Sequence, residues 1–349
     1  MNRTNAKLVQ LTLLLCLAVL PVGFAAAQDV PPPTPKVKPR RVMPKVPATV
    51  QAPEFPENEG ATSEKSLAVD PNANIKICVL EGNLKINGWE RSEMRVFVKN
   101  GTRIGLRVLE KDPESNKPVW VLVSNSTAAR PGPSQSSECL SGERIEIDVP
   151  VKASISVTGR ATETMIDSVK KAYVKNAEGN ISLRNIPGGI TAVTYQGDVT
   201  VENSGGAISL ESATGNIVGY DVSPGQIGDL FKAKTNSGAI SLQKLDHRQI
   251  EANSITGSVV FNGKFLPGGL YNFKTSNGSI RLLIPDGSSC TIKASYGFGV
   301  FNSEIPMKFL YRNETPESKN LAATIGTGNA TVNLTTSSGS IGIRKQSTP

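Results

Sequence analysis

Asn236-Ser237-Gly238-Ala239-Ile240-Ser241-Leu242 contains the rule by which this chain is built: a small polar pair, a glycine, then two apolar residues separated by a polar one. The phrase returns from about residue 176 onward. It reads Ala-Glu-Gly-Asn-Ile-Ser-Leu at 177–183, Gln-Gly-Asp-Val-Thr-Val at 196–201 and Ser-Gly-Gly-Ala-Ile-Ser-Leu at 204–210. Thr-Gly-Ser-Val-Val-Phe at 256–261, Ser-Asn-Gly-Ser-Ile-Arg-Leu at 276–282 and Ser-Ser-Gly-Ser-Ile-Gly-Ile at 337–343 complete the series. Residues two apart point to one face of a strand, so each copy offers an apolar pair that it cannot bury alone. Stacking the copies buries them, and repeats of one short phrase are how a solenoid is written.

The repeat glycines are Gly179, Gly197, Gly206, Gly215, Gly238, Gly257, Gly278, Gly328 and Gly339. Most spacings fall near nine or twice nine, and a strand of ~5–6 residues with its turn takes about nine. Each glycine is expected at a sharp turn where side chains of neighbouring rungs would collide. The predicted fold class is all-β, a β-solenoid or β-helix-like stack of short strands; a β-sandwich is the alternative. Only residues 163–175 leave room for a short helix, and their Thr and Val content opposes it.

Upstream, alternation predicts strands at 74–79 and 83–86, with Asn87-Gly88 as a hairpin turn, then 94–98 followed by a turn at Asn100-Gly101. Strands at 119–123, 144–150 and 153–157 lead into the repeats. A Ser/Pro/Gly-rich loop at 125–140 and an insert at 303–321 interrupt the pattern. These boundaries give one β domain over residues 66–349, with an N-terminal cap part (66–143) and a repeat part (144–349). A division into two domains near Arg144 is the other reading.

The chain opens as an exported protein. Arg3 and Lys7 precede an apolar run from Leu8 to Leu20, and Ala25-Ala26-Ala27 is a small-residue cleavage site, so residues 1–27 are read as a signal peptide. An uncleaved anchor is the competing reading. No integral span is expected after cleavage. Residues 28–65 read as a Pro-rich basic linker, a polyproline spacer whose cations are either idle or touch an anionic envelope polymer. The net charge of +8 sits mostly in this leader, because residues 1–50 carry +6 and the remainder only +2. Nucleic-acid binding needs a basic patch on the folded domain, and none is legible.

At this point the residues resemble a bacterial putative-adhesin family with β-strand repeats, found in secreted and envelope proteins. The likeness rests on Leu84-Lys85-Ile86-Asn87-Gly88-Trp89-Glu90, on Met94-Arg95-Val96-Phe97-Val98, and on Val149-Pro150 followed by Ala153 to Val157. The last pattern is echoed by Ile284-Pro285 and Cys290-Thr291-Ile292, and the glycine repeats follow, so the likeness spans about residues 70–345. It implies a β-solenoid-like fold, an adhesive or envelope role, and no catalytic residues.

Cysteine usage allows one disulfide in an oxidising compartment. Cys78 and Cys139 are the expected pair and Cys290 the buried free thiol. His247 is the only histidine, so Ser/His/Asp or His-metal chemistry would have to run through it; its polar setting, 244–249, reads as a solvated loop. Asp198, Glu202, Glu211, Asp221 and Asp229 are the carboxylates from which a glycosidase pair would be drawn, but they do not recur in register. Gly205-Gly206 and Gly268-Gly269 lack the rest of a calcium repeat, and Asn262-Gly263-Lys264-Phe265 is no phosphate loop.

The remaining polar residues form an expected rim: Asn203, Ser204, Asn236, Ser237, Ser276, Asn277, Ser337 and Ser338. It serves either turn capping or sugar binding, the latter with Tyr195, Tyr220, Tyr271 or Tyr296 as stacking platforms. The functional expectation is a non-catalytic, exported, adhesin-like or scaffold protein binding a cell-surface glycan, peptidoglycan or an envelope protein, with no cofactor. A periplasmic polymer- or partner-binding module and a carbohydrate-active β-helix enzyme are the rivals.

Overall fold

The structure, a computed structural model, describes residues 62–126, 138–315 and 319–346. The expected signal peptide and nearly all of the expected linker lie outside the described residues. The described part is all β. The N-terminal strands are β1 (Ser63–Ala68), β2 (Asn74–Trp89), β3 (Glu93–Gly101), β4 (Ile104–Lys111), β5 (Pro118–Asn125), β6 (Leu140–Pro150) and β7 (Ser154–Asp167). The repeats supply β8 (Lys171–Glu178), β9 (Ile181–Arg184), β10 (Ile190–Gln196), β11 (Val199–Gly205), β12 (Ile208–Thr214) and β13 (Ile217–Ser223). They continue with β14 (Leu230–Ser237), β15 (Ile240–Leu245), β16 (Gln249–Thr256), β17 (Val259–Asn262), β18 (Leu270–Asn277) and β19 (Ile280–Ile284). The last six are β20 (Cys290–Phe298), β21 (Phe301–Ser303), β22 (Lys308–Glu314), β23 (Lys319–Ile325), β24 (Thr331–Ser338) and β25 (Ile341–Lys345).

Two parallel stacks run the length of the repeats. The front stack is β8-β10-β12-β14-β16-β18 and the back stack is β9-β11-β13-β15-β17-β19. One coil is therefore two strands, about eighteen residues, and the nine-residue spacing in the sequence is half a coil. The long strands β2 and β7 bend across both stacks, so hydrogen bonding is continuous through all the described strands. The first strand begins at Ser63, so the expected linker end at residue 65 falls inside β1.

The apolar pairs do what their spacing requires. Ile181/Leu183, Val199/Val201, Ile240/Leu242, Val259/Phe261, Ile280/Leu282 and Ile341/Ile343 are buried and aligned rung upon rung in the back stack. Gly219 replaces an apolar residue in this column, where a Cβ would meet the Phe231 ring; the missing side chain makes room for a large one opposite.

The corner between front and back strands is a column of glycines. A Cβ at Gly197, Gly215, Gly238, Gly257, Gly278 or Gly339 would lie well under 3.0 Å from the carbonyl of the glycine one coil away. Gly179 starts this column and Gly299, which the repeat phrase does not reveal, ends it. Gly206 and Gly328 are not members. Gly206 lies at the opposite corner against Gly188 and Gly189, and Gly328 lies in the turn between β23 and β24.

Three residues before each column member except Gly299 stands a buried hydroxyl or amide that donates to a carbonyl one coil away; Tyr296 before Gly299 donates to Glu314 instead. Asn176 Nδ2 donates to Thr162 O at 2.8 Å, Thr194 Oγ1 to Gly179 O at 3.2 Å and Ser212 Oγ to Gly197 O at 2.9 Å. Thr235, Ser254, Thr275 and Thr336 repeat the contact to Gly215, Gly238, Gly257 and Gly278 at 2.8–2.9 Å. The column ends on Lys319, whose Nζ donates to Gly299 O at 3.0 Å. Thr275→Val keeps the shape and deletes one donor. A loss of about 1–2 kcal/mol is expected in urea unfolding; an unchanged midpoint would make the hydroxyl column incidental.

Both ends depart from sequence order. At the N-terminal end β5 and β6 form a coil parallel to β2, and β4 and β3 cover it antiparallel. At the C-terminal end β24 and β25 lie between the coil β18/β19 and the coil β20/β21, although they come last in the chain. β23 then pairs antiparallel with β20, and β22 with β23. The expected insert at 303–321 thus supplies strands.

One expectation is corrected here. Asn87-Gly88 is no hairpin turn: both lie inside β2, and a Cβ at Gly88 would collide with the Ser168 carbonyl. Residues 163–175 hold no helix, in line with their Thr and Val content: β7 ends there, Ser168 turns the chain at φ 59°, and β8 begins.

Candidate binding face

Alternation along the front strands leaves every second side chain in water, and between β5 and β10 three of these are large aromatics. Trp120 on β5 is 43% exposed, Tyr173 on β8 45% and Tyr195 on β10 64%. The tyrosines have small neighbours on adjacent strands: Tyr173 lies between Ser156 and Thr191, and Tyr195 between Ala177 and Ala213; Trp120 lies between Asn74 and Glu110. Two shallow grooves result. One of about 470 Å³ runs past Tyr195, Ala177, Ala213, Lys175 and Lys234. The other, about 440 Å³, is lined by Trp120, Tyr173, Ser154, Ser156 and Lys76. A flat ring with a polar tip, open on both sides, suits the apolar face of a sugar.

The back face is organised differently. Arg184 Nη2 pairs with Asp167 Oδ2 at 2.6 Å and Arg95 Nη2 with Asp148 Oδ2 at 2.6 Å. Burial works to raise the Asp167 carboxyl, but hydrogen bonds from Arg184, Ser168 and Asn185 outweigh it and hold it below its usual value. Asn185, Asn203, Asp221 and Lys244 stack with positive φ, and Asn203 Nδ2 donates to Asn185 Oδ1 at 2.6 Å. These are bulge contacts that satisfy the chain itself.

The expected rim therefore splits. Ser237, Asn277 and Ser338 do align beside the glycine column, whereas Asn203 lies on the back face and Ser204 is buried, accepting from Ile186 N. Of the four tyrosines, only Tyr195 stands free on the front face. Tyr220 is on the back stack, its hydroxyl accepting from Lys244 Nζ at 3.0 Å. Tyr271 and Tyr296 are core residues; burial, with a hydrogen bond to Glu314, pushes the Tyr296 hydroxyl up to about 12. Trp120 and Tyr173 were legible as outward positions in Val119-Trp120-Val121 and Ala172-Tyr173-Val174, but the repeat phrase draws the eye past them.

His247 is buried, not solvated, and this corrects the expectation from its polar neighbours. Its Nε2 lies 2.9 Å from Gly206 O, its ring meets Phe231 edge-on, and Nδ1 has no partner. Burial lowers its affinity for a proton, against the opposing effects of the Gly206 carbonyl, Asp229 and Asp246. The unfolded chain therefore binds a proton below the usual histidine value of about 6.5 that the folded chain refuses, so stability falls as pH drops through that region. The urea midpoint is expected to decrease between about pH 7 and 5, and His247→Gln to flatten that slope. Equal midpoints for the parent protein at both pH values would refute a neutral buried ring.

The five carboxylates do not converge. Asp198 sits at the glycine corner accepting from Asn216 N, Glu202 and Asp221 are on the back stack, and Glu211 is on the front face 3.7 Å from Lys232. Asp229 closes a loop by accepting from Gly225 N and Gln226 N. Among the described residues, no group of three or more His, Cys, Asp or Glu side chains is placed to hold a metal ion. Cys78 and Cys139 form a disulfide with Cα atoms 4.6 Å apart, and burial pushes the free Cys290 thiol up to about 12.

A family model described as Toastrack DUF4097 matches residues 127–344, more than half of the chain. No curated protein matches. Among solved structures, a putative cell adhesion protein from Clostridium sporogenes ATCC 15579 is 13% identical over 82% of this chain and 100% of that one, with a TM-score of 0.21. At that score the two molecules do not superpose as wholes.

Proposed function

This chain belongs to the Toastrack DUF4097 family of adhesin-like β-repeat proteins, and from that premise we propose that it is a non-catalytic binding module of the cell envelope. Its ligand is a glycan, laid along the front face and held by many weak contacts. The observation that carries this reading is the set of three exposed rings, Trp120, Tyr173 and Tyr195, spread over one strand face with small side chains between them. Rings presented on a rigid sheet lose little freedom on binding, and several modest contacts along one polymer multiply. The Ala25-Ala26-Ala27 leader supports export, and the composition of the Pro-rich stretch is that of a spacer.

The test is retention of the protein on insoluble peptidoglycan and on glycan-containing native gels. Combined Trp120→Ala, Tyr173→Ala and Tyr195→Ala substitutions should weaken retention roughly tenfold, about 1.4 kcal/mol, and leave the unfolding midpoint nearly unchanged. Full retention by the triple variant would remove the front face from consideration. Protease treatment of intact against lysed cells separates the surface location from the periplasmic one.

A further inference from the structure

We propose that the ligand of the front face is a polyanionic glycan, a polymer of sugar or polyol units bearing carboxylate or phosphate groups; this rests on reading that face as the ligand surface. The argument is charge. Lys76, Lys171, Lys175, Lys234, Lys274 and Lys293 all point outward from front strands, and none of them comes within 4.0 Å of a described carboxylate, although Lys234 lies opposite Glu211 in the ladder. Against them the same strands set Glu178 at the end of β8, Glu211 and Glu251, with Glu110 of β4 beside Trp120, and Glu211 is already beside Lys232.

On the back face Arg184 and Arg95 are matched by Asp167 and Asp148, while Lys85 and Arg281 there have no ion pair among the described residues. A face with an excess of one sign of charge attracts a ligand of the opposite sign. Along the stack, from β2 to β20, the six span nine strand spacings, roughly 43 Å at ~4.8 Å each. With a screening length of about 8 Å, no compact ion reaches more than one or two of them. A long polymer lying on the face meets all of them.

The arrangement on β8 shows how ring and charge combine. Lys171, Tyr173 and Lys175 alternate outward on one strand, so an ammonium group stands roughly 6.8 Å to either side of the ring. A sugar on Tyr173 places its acidic substituent within reach of one or the other. A lipid surface fits less well. The side chains between the rings are Ser154, Ser156 and Thr191, with no continuous apolar strip to enter a bilayer.

The experiment compares binding of the full chain to polygalacturonate, polyglycerol phosphate, neutral dextran, double-stranded DNA and phosphatidylglycerol vesicles. Three variants accompany it: Lys171→Gln with Lys175→Gln and Lys234→Gln; the aromatic triple variant; and the leader cations Lys36, Lys38, Arg40, Arg41 and Lys45 changed to Gln. One of the two charged glycans should bind at least about tenfold tighter than dextran. Which of the two does so identifies carboxylate or phosphate as the recognised group. That binding should weaken as salt rises and fall roughly fivefold or more in the lysine variant, with the leader variant unaffected.

Dextran bound as tightly as either charged glycan would overturn the inference and leave the face reading standing. Loss of binding in the leader variant alone would move the site off this face, and DNA or vesicles bound as tightly as the better glycan would overturn it in favour of those partners. No binding to any glycan, or an unaffected aromatic variant, would bring down the reading of the face itself.

Discussion

Gly257→Ala is expected to destabilise the protein by about 3–5 kcal/mol, near the upper end of what one substitution does. Two penalties coincide. The residue has φ 146°, where an L side chain is strained, and its Cβ would fall 2.5 Å from the Gly238 carbonyl carbon. Neither neighbour can retreat. Gly257 N donates to Asn277 O at 3.0 Å, and the Gly257 carbonyl both accepts from Thr275 and faces Gly278 of the next coil. Moving the chain to admit a methyl group would break the ladder on both sides. Gly342→Ala is the control, since a Cβ there meets nothing within 4 Å, and its midpoint should stay close to the parent value. If both variants unfold at the same denaturant concentration, the column is not close-packed.

Removing the Cys78–Cys139 disulfide is the second large effect. The bond joins residues 61 apart in sequence, and releasing a loop of that size from the unfolded chain costs about 4 kcal/mol by the chain-entropy relation. It fastens β2, which carries both stacks, to the start of β6, the coil beside it. Cys78→Ala with Cys139→Ala should lower the thermal midpoint by many degrees, and a reductant should do the same to the parent protein. The third cysteine does not confuse the readout, because the buried Cys290 thiol stays protonated at working pH. Identical midpoints with and without reductant would show that the bond contributes nothing.

The stacking itself was legible in the repeat phrase, because apolar residues two apart can be satisfied only by a neighbour above and below. What the phrase hides is which corner a glycine occupies. Gly206 stands nine residues from both Gly197 and Gly215, so spacing alone puts it in their column, yet it belongs to the other corner. The sequence sign of the true column is the hydroxyl or amide three residues earlier, present at Thr194 and Ser212; position 203 before Gly206 holds Asn, but its side chain faces the back bulge. His247 misled for a similar reason. Its neighbours Asp246 and Arg248 are exposed, and only the Phe231 ring and the Gly206 carbonyl, distant in sequence, draw the imidazole inward.

The candidate face was half legible. Tyr195 was singled out, while Tyr271 and Tyr296 were misplaced because alternation tells two faces apart without saying which one is wet. The six unmatched lysines were invisible as a group: they come from strands far apart in the chain, and overall charge past residue 50 is nearly balanced.

The position of the last coil has a mechanical consequence. A solenoid whose final coil has one neighbour peels from its end under load, one ladder at a time. Here β24 is bonded to β18 on one side and β20 on the other, and β25 likewise to β19 and β21. Tension applied beyond Lys345 must shear two ladders together before the first coil gives way, and what it withdraws is a wedge from the interior of the stack.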